Sequence, residues 1–407
     1  MGNWQRSVVL ILLAVISLSV SSSGSETWIQ WYEHEDEVYI GTVLDRVDEY
    51  WLIGTSVASL DPPDAGIVVF RIQPDGSLLY PMSYSWDGVQ SAADAFIDSE
   101  GDVIFVGQTD SYGAVGSDMY FLRTDSSGQT LAEGVFGESL EESASGIVLG
   151  SHGDYFIVGN QTNPEDFIAD AGAAGYGGLD GRTAPYVVRI QPNGVPVWKK
   201  DYRSEDNIVF FDATATRNGG CLLLSTVYGF PNAEDAIRLD KVNELGDIEW
   251  SRTFDEGSSK GYSLLQLDDG RLLIAGARPD EDSGQLQALL MLLDANGQEI
   301  WSRTYGNTAQ ITAAHALVET RDGHIVAAGT QMDGYSQYQD AIYVFCVDTE
   351  GELQWEQTNT TGKHVMVEAL VELADSGLLI AGSGATAGGR FQAMLMRVDP
   401  QEEAETP

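Results

Sequence analysis

Asp268-Asp269-Gly270-Arg271-Leu272-Leu273-Ile274-Ala275-Gly276 is followed by Ala288-Leu289-Leu290-Met291-Leu292-Leu293-Asp294-Ala295-Asn296-Gly297 and then Gln298-Glu299-Ile300-Trp301-Ser302-Arg303. Two continuous apolar runs and one alternating, charged run are thus separated by Asp-Gly and Asn-Gly signals. Such dipeptides favour tight turns because the glycine reaches φ > 0. The unit then repeats as Arg321-Asp322-Gly323-His324-Ile325-Val326-Ala327-Ala328-Gly329, a run from Ala341 to Val347, and Glu352-Leu353-Gln354-Trp355.

Working outward, the glycine that closes the second run recurs at Gly54, Gly107, Gly159, Gly276, Gly329 and Gly382, with Ser225 in the remaining slot. The successive intervals between these positions are 53, 52, 66, 51, 53 and 53 residues. Each unit holds four strand candidates. The first is short and alternating, as in Ala316-Leu317-Val318-Glu319-Thr320. The second and third are apolar throughout, as strands covered on both faces must be. The fourth, as in Glu299-Ile300-Trp301-Ser302-Arg303, carries charge like an exposed edge. Asp75-Gly76 and Asn193-Gly194 supply the same turn signal in other units.

The long interval marks an insertion of about a dozen residues, at about 160–185. The last unit stops at Met394-Leu395-Met396-Arg397-Val398-Asp399-Pro400 without its fourth strand. An orphan strand, Trp28-Ile29-Gln30-Trp31-Tyr32, opens the other end. An N-terminal strand completing the final unit removes both open edges. The expectation is therefore an all-β, seven-bladed β-propeller of four-stranded antiparallel blades, its ring closed by the N-terminal strand. It spans 27–400, followed by an acidic tail at 401–407.

The motif Asp-x-x-Gly-x-x-x-Trp, present as Asp294, Gly297, Trp301 and as Asp348, Gly351, Trp355, resembles that of secreted PQQ-like and WD40-like β-propeller repeat proteins of archaea and bacteria. The resemblance covers about residues 27–400. In quinoprotein-type propellers a similar motif docks tryptophans between blades, which implies docking roles for Trp31, Trp198, Trp250, Trp301 and Trp355. Trp198 and Trp250 keep the glycines Gly194 and Gly246 but lack the aspartate. Tyr80 and Ala132 replace the tryptophan in the first two blades, where docking should be weaker. A propeller identifies an architecture and leaves the activity open.

The 62 acidic against 21 basic residues give a net charge of −41. Such a surface repels nucleic acid and anionic membranes; it suits solubility in salt, cations, basic partners or neutral ligands. Residues 1–26 read as a signal peptide or short anchor: Arg6, an apolar run from Val8 to Val20, and a Ser/Gly exit. The run is short for a span of about 20 residues. No lipid-bearing cysteine follows it, and Arg6 spoils the myristoylation pattern at Gly2. A secreted or cell-surface monomer follows. Cys221 and Cys346 fall in different units and read as buried free thiols.

No nucleophile elbow, Walker loop or zinc spacing occurs, and His34, His152, His315, His324 and His364 are scattered. No catalytic residue or metal ligand is assigned. The acidic loop Asp280-Glu281-Asp282-Ser283-Gly284 lacks EF-hand spacing, so no cofactor is expected, with calcium left open. The second-to-third and fourth-to-first loops share one face. That face collects Trp86, Tyr112, Phe167, Tyr176, Tyr228, Phe230, Tyr305, Tyr335 and Tyr338 among Asp87, Asp110, Asp166, Asp170, Asp235 and Asp340. Trp86, Tyr112, Tyr176, Tyr228, Phe230, Tyr335 and Tyr338 are the candidate ligand contacts, since aromatics beside carboxylates suit glycans or basic peptide segments. The same aromatics also suit packing onto their own loops. The Gly/Ala-rich insertion could act as a flap, and the sequons at Asn160 and Asn359 point to a glycosylated surface.

The leading expectation is a non-catalytic extracellular module that binds a protein or glycan. An envelope scaffold is the second, and a secreted glycan hydrolase or lyase or a quinone-type oxidoreductase the third.

Overall fold

The computed structural model describes residues 27–400, apart from 47, 61–62, 86–87, 112–115, 139, 164–181, 230–233, 255–257, 333–339 and 387. The residues expected to form the signal or anchor and the acidic tail, and most of the insertion, lie outside them. The described secondary structure is all β, and no described helix is long and apolar enough to cross a membrane. Strand β1 (Trp28–Tyr32) is followed by five four-stranded antiparallel sheets in chain order, at 37–84 (β2–β5), 94–136 (β6–β9), 141–201 (β10–β13), 207–254 (β14–β17) and 260–305 (β18–β21). The remainder is one seven-stranded sheet, ordered β1-β27-β26-β25-β24-β23-β22. It contains β22 (Ile311–Glu319), β23 (Ile325–Met332), β24 (Asp340–Val347), β25 (Leu353–Glu372), β26 (Leu378–Ala385) and β27 (Gln392–Val398). Up to Lys363, β25 pairs with β24; from His364 onward it pairs with β26. Strand β1 pairs antiparallel with β27, Trp28 opposite Arg397 and Tyr32 opposite Ala393.

The two middle strands of each sheet are mostly apolar and buried because neighbouring sheets cover both faces, although β16 carries Arg238, Asp240 and Lys241. Leu273, Ala275, Leu290 and Leu292 meet Ala314, Ala327, Phe345 and Val347 across one such interface. Val38, Leu52 and Phe70 of the first sheet meet Leu379, Ala381 and Leu395 of the last. Two hydrogen bonds cross the same junction, Val38 N to Phe391 O at 3.0 Å and Ile40 N to Ser383 Oγ at 2.7 Å. Face-packed, four-stranded antiparallel meanders of this kind make a β-propeller.

The first strand of a sheet starts earlier than its alternation suggests: β22 begins at Ile311, not Ala316. A β-bulge explains this. At six places in five of the sheets one strand residue is skipped in the ladder, at Gly41, Ser145, Phe211, Tyr262, His315 and Glu368, the last two both in the seven-stranded sheet. Residues after a bulge face the opposite side, which breaks a simple alternation. The periodic glycines stand opposite. A Cβ on Gly276 would sit 1.8 Å from the Lys260 carbonyl oxygen, and one on Gly329 1.8 Å from that of Ala313.

Tryptophans join consecutive sheets. Trp198 Nε1 donates to Glu244 O at 2.9 Å and Trp301 Nε1 to Thr349 O at 3.2 Å. Trp250 lies against Gly297, whose Cβ would be 2.8 Å from the indole. Trp28, rather than Trp31, occupies the equivalent place against Gly76. Trp31 packs instead on Gly384 of its own sheet, with Lys363 Nζ 3.7 Å above its ring. The reason is register: Trp28 faces Arg397 as Trp301 faces Leu292. Trp355 is part-buried against the core that β24, β26 and β27 share.

Four residues beyond the docking position a second device recurs. The hydroxyls of Tyr32, Tyr84, Tyr202 and Tyr305 donate to the turn carbonyls of Gly76, Gly128, Gly246 and Gly351 in the next sheet, at 2.8, 3.1, 3.0 and 2.8 Å. Phe136 and Phe254 hold the equivalent positions without a hydroxyl.

Two substitutions test these joints by denaturant unfolding. Gly276→Ala should lose about 1–3 kcal/mol through overpacking against the Lys260 carbonyl. Tyr305→Phe should lose about 0.5–1.5 kcal/mol, the net worth of one hydrogen bond.

Candidate functional site at the loop-face end of the inner strands

The bulges present one side chain per four-strand repeat at a common level. Phe211 meets Tyr262 edge-on, with centroids 5.4 Å apart at 72°, and Tyr262 stacks on His315 at 4.8 Å and 16°. These residues belong to three successive sheets, so the aromatic row runs from sheet to sheet. Glu368 holds the next bulge position; Gly41, Ala93 and Ser145 hold the equivalent places in the first three sheets. The row is therefore aromatic and ionisable on one side and small on the other. Gly41 is required for close approach, since its Cβ would lie 2.1 Å from Ala93 O of the next sheet.

Burial lowers the His315 pKa to about 4, so its ring is neutral near pH 7. Its Nε2 lies 3.5 Å from Thr330 Oγ1. Glu368 is reached by solvent yet hemmed in by protein, and this desolvation raises its carboxyl to about 7. Two further carboxylates tie inner strands together. Asp212 accepts from Leu264 N at 2.7 Å, Ser263 Oγ at 3.1 Å and Ala213 N at 2.7 Å. Asp94 accepts from Ile147 N at 3.1 Å and Ala95 N at 2.8 Å. Burial raises them to about 7 and about 6 against the pull of these donors, and the charge of Asp94 adds to the rise at Asp212. With their oxygens occupied by strand donors, both act as staples between sheets.

The rim above the row carries a second cluster. Tyr228 ends β15 (Cys221–Tyr228), and Lys260 opens β18 (Lys260–Gln266). Lys260 Nζ lies 5.6 Å from the Tyr228 ring centroid and 3.4 Å from Asp235 Oδ2. Burial lowers the Lys260 pKa, and burial together with Tyr262 and Asp235 raises that of Tyr228. Further round, Asp340 is buried, holds His364 Nδ1 and accepts from Val365 N at 3.3 Å. His364 meets Phe391 edge-on at 6.1 Å.

Of the expected ligand contacts, only Tyr228 falls among the described residues; Trp86, Tyr112, Tyr176, Phe230, Tyr335 and Tyr338 lie outside them, as does Phe167. Tyr305 is buried as an inter-sheet latch and is not a free loop aromatic. The sequons sit in strands. Asn160 brackets Phe210 of the next sheet through both side-chain atoms, and Asn359 is paired opposite Ile342, so neither reads as a free loop acceptor.

In the acidic loop, Asp280 Oδ1 accepts from Ser283 N and Oγ at 2.9 and 2.8 Å, a local turn bond. Asp98, Glu100 and Asp102 converge as well, but Arg123 Nη2 lies 2.8 Å from each and supplies the positive charge. Cys221 and Cys346 are buried and free.

Sequence reasoning missed Phe211, Tyr262, His315 and Glu368. A signal existed: each lies fourteen residues before the periodic glycine or its Ser225 substitute.

No protein-family model matches this chain, and no curated protein matches it in sequence. Solved structures resemble it in fold. Puromycin hydrolase matches with TM-score 0.53 at 12% identity, covering 89% of this chain and 54% of the hydrolase. The β-propeller domain of the trilobed protease from Pyrococcus furiosus matches at 10% identity with TM-score 0.48, covering 91% and 98%. A protein of unknown function from Dyadobacter fermentans matches at 13% identity with TM-score 0.48, covering the same shares. At these identities the likeness extends to the fold alone.

Glu368 generates a pH prediction. Its folded pKa is raised above the ordinary 4.5 to about 7, so the folded state binds the proton more tightly than the unfolded one. Stability contributed by this group is present below about pH 4.5 and falls as pH rises towards 7. Glu368→Gln should melt higher than the parent above pH 7, and the gap should close towards pH 4.5 in thermal melts across that range.

Proposed function

We propose that the chain is a seven-bladed propeller acting as a non-catalytic binding module, outside the cell or at its surface. In this proposal β25 is shared between two blades, β1 completes the last blade, and the ring is closed. Support comes from the pairing of β1 with β27 and from the hydrogen bonds that join β2 (Glu37–Asp45) to Ser383 and Phe391. The repeats and docking tryptophans support kinship with the secreted PQQ-like and WD40-like propellers. The ligand is a protein segment or a glycan, met at the loop-face end of the inner strands.

One observation carries the binding role: the Phe211–Tyr262–His315 row lies below a rim where Lys260 stands between Tyr228 and Asp235. Aromatic surfaces flanked by a few fixed charges are what saccharide rings and peptide side chains pack and hydrogen-bond against.

The test is a glycan and extracellular-protein binding screen on residues 27–407 at low and high salt. A ligand should be retained by the parent and weakened at least tenfold, about 1.4 kcal/mol, in Tyr262→Ala or Tyr228→Ala variants of unchanged melting temperature. Binding that survives both substitutions would move recognition away from this end of the protein.

A further inference from the structure

Between the sheets at 94–136 and 141–201, four oxygen-bearing side chains meet at the loop-face end. Asp118 opens β8 (Asp118–Thr124), Glu142 is second in β10 (Glu141–Leu149), Gln161 lies late in β11 (Tyr155–Asn163), and Tyr186 lies in β12 (Arg182–Ile190). Glu142, Gln161 and Tyr186 are 0%, 2% and 2% exposed. Gln161 Nε2 donates to Glu142 Oε1 at 2.6 Å. Glu142 Oε2, Gln161 Oε1, Asp118 Oδ1 and the Tyr186 hydroxyl have no partner among the described residues.

Two of these atoms aim at one point. A Cβ on Gly137 would stand 1.9 Å from Asp118 Oδ1 and 2.9 Å from Glu142 Oε2. Gly137 therefore lets the Asp118 carboxylate lie against its backbone, where any side chain would displace it. The surrounding charges are unbalanced. Asp118, Glu138, Glu142 and Asp201 act on Tyr186; the positive groups are Lys199, which acts on Asp118 while donating to Gly137 O at 3.0 Å, and Arg203, which pairs with Asp201 at 2.9 Å.

Acceptor oxygens shut away from water are costly unless a cation or a proton answers them. A proton shared between Asp118 and Glu142, with the Tyr186 hydroxyl turned to Gln161, is the competing arrangement. Burial raises both the Asp118 and the Glu142 carboxyls, and Asp118 is hydrogen-bonded to Glu142, which suits that proton. Against it, Glu142 also accepts from the Gln161 amide and the Glu138 backbone, and both bonds favour its ionised form. The donors are all hard oxygens, two of them carboxylates, with no sulfur or imidazole; that set selects calcium over transition metals.

We propose that Asp118, Glu142 and Gln161 form a buried calcium site between two sheets, with Tyr186 beside it. Calcium would fix the second sheet to the third, in contrast to the acidic loop at Asp280, whose carboxylate is spent on its own turn. This site is independent of the aromatic row.

The experiment titrates calcium, and terbium as its luminescent substitute, into the full chain in about 0.5 M salt, which screens the acidic surface. The melting temperature should rise with calcium, as for any ligand bound by the folded state alone, and terbium emission should be sensitised through tyrosine. Glu142→Gln and Gly137→Ala should weaken both responses at least tenfold; Gly137→Ala removes no charge but displaces Asp118, so it separates site loss from charge loss. Tyr186→Phe should dim terbium while the fold persists, and Asp280→Asn and Tyr262→Ala should titrate like the parent. The proposal is overturned if calcium leaves the parent's melting temperature unchanged, or if Gly137→Ala and Glu142→Gln titrate normally. Stabilisation by acid alone, with no calcium response, assigns the cage to the shared proton.

Discussion

The bulge near the start of each four-strand repeat is the constraint from which the rest follows. Skipping one residue turns a single side chain out of the ladder, and the carbonyl two residues before it crowds the second strand. Only a very small residue fits there, which is why a glycine returns at Gly54, Gly107, Gly159, Gly276, Gly329 and Gly382. Ser225 shows the limit of that tolerance. The strand paired with it keeps the bulge at Phe211, and the Ser225 hydroxyl has no partner among the described residues. The same local geometry thus fixes the sequence period and selects the side chains that meet in the aromatic row.

The sheets are held to each other by a mixture of non-directional and directional contacts. Apolar interfaces supply most of the stabilisation, because each middle strand is covered on both faces. They say little about alignment. Alignment comes from short polar bonds repeated with variation: tyrosine hydroxyls on turn carbonyls at the outer strands, and carboxylates, amides or hydroxyls reaching the next inner strand. Asp94, Asn160, Asp212 and Ser383 perform the inner task with different chemistry. Burying ionisable Asp94 and Asp212 for this purpose is costly, and their raised pKa values record that cost.

Much of this was legible in the residues. Strand number per unit and the apolar middle pair followed from period and hydropathy, since burial on two faces leaves a continuous apolar run. The inner row was not legible, because a bulge shifts the alternation by one and hides which residues point inward. The same one-step sensitivity misplaced the docking role onto Trp31: two tryptophans three residues apart lie on opposite faces of a strand, and only the pairing of Trp28 with Arg397 decides between them. The buried oxygens of Asp118, Glu142 and Gln161 come from three strands of two sheets, so no linear motif could reveal them. Tyr305 looked like a loop aromatic because its position beside Gly306 resembles a turn, whereas its hydroxyl is spent on Gly351.

The pairing of β1 with β27 also bears on how the chain folds. Asp399 N donates to the Thr27 hydroxyl across 372 residues of sequence at 3.1 Å. The last sheet is one strand short until β1 meets β27. Local meanders such as 260–305 can form early from near neighbours, but this seam must wait, and closing so long a loop is entropically slow. During that wait β27 presents an open apolar edge, the element most exposed to mispairing with another chain.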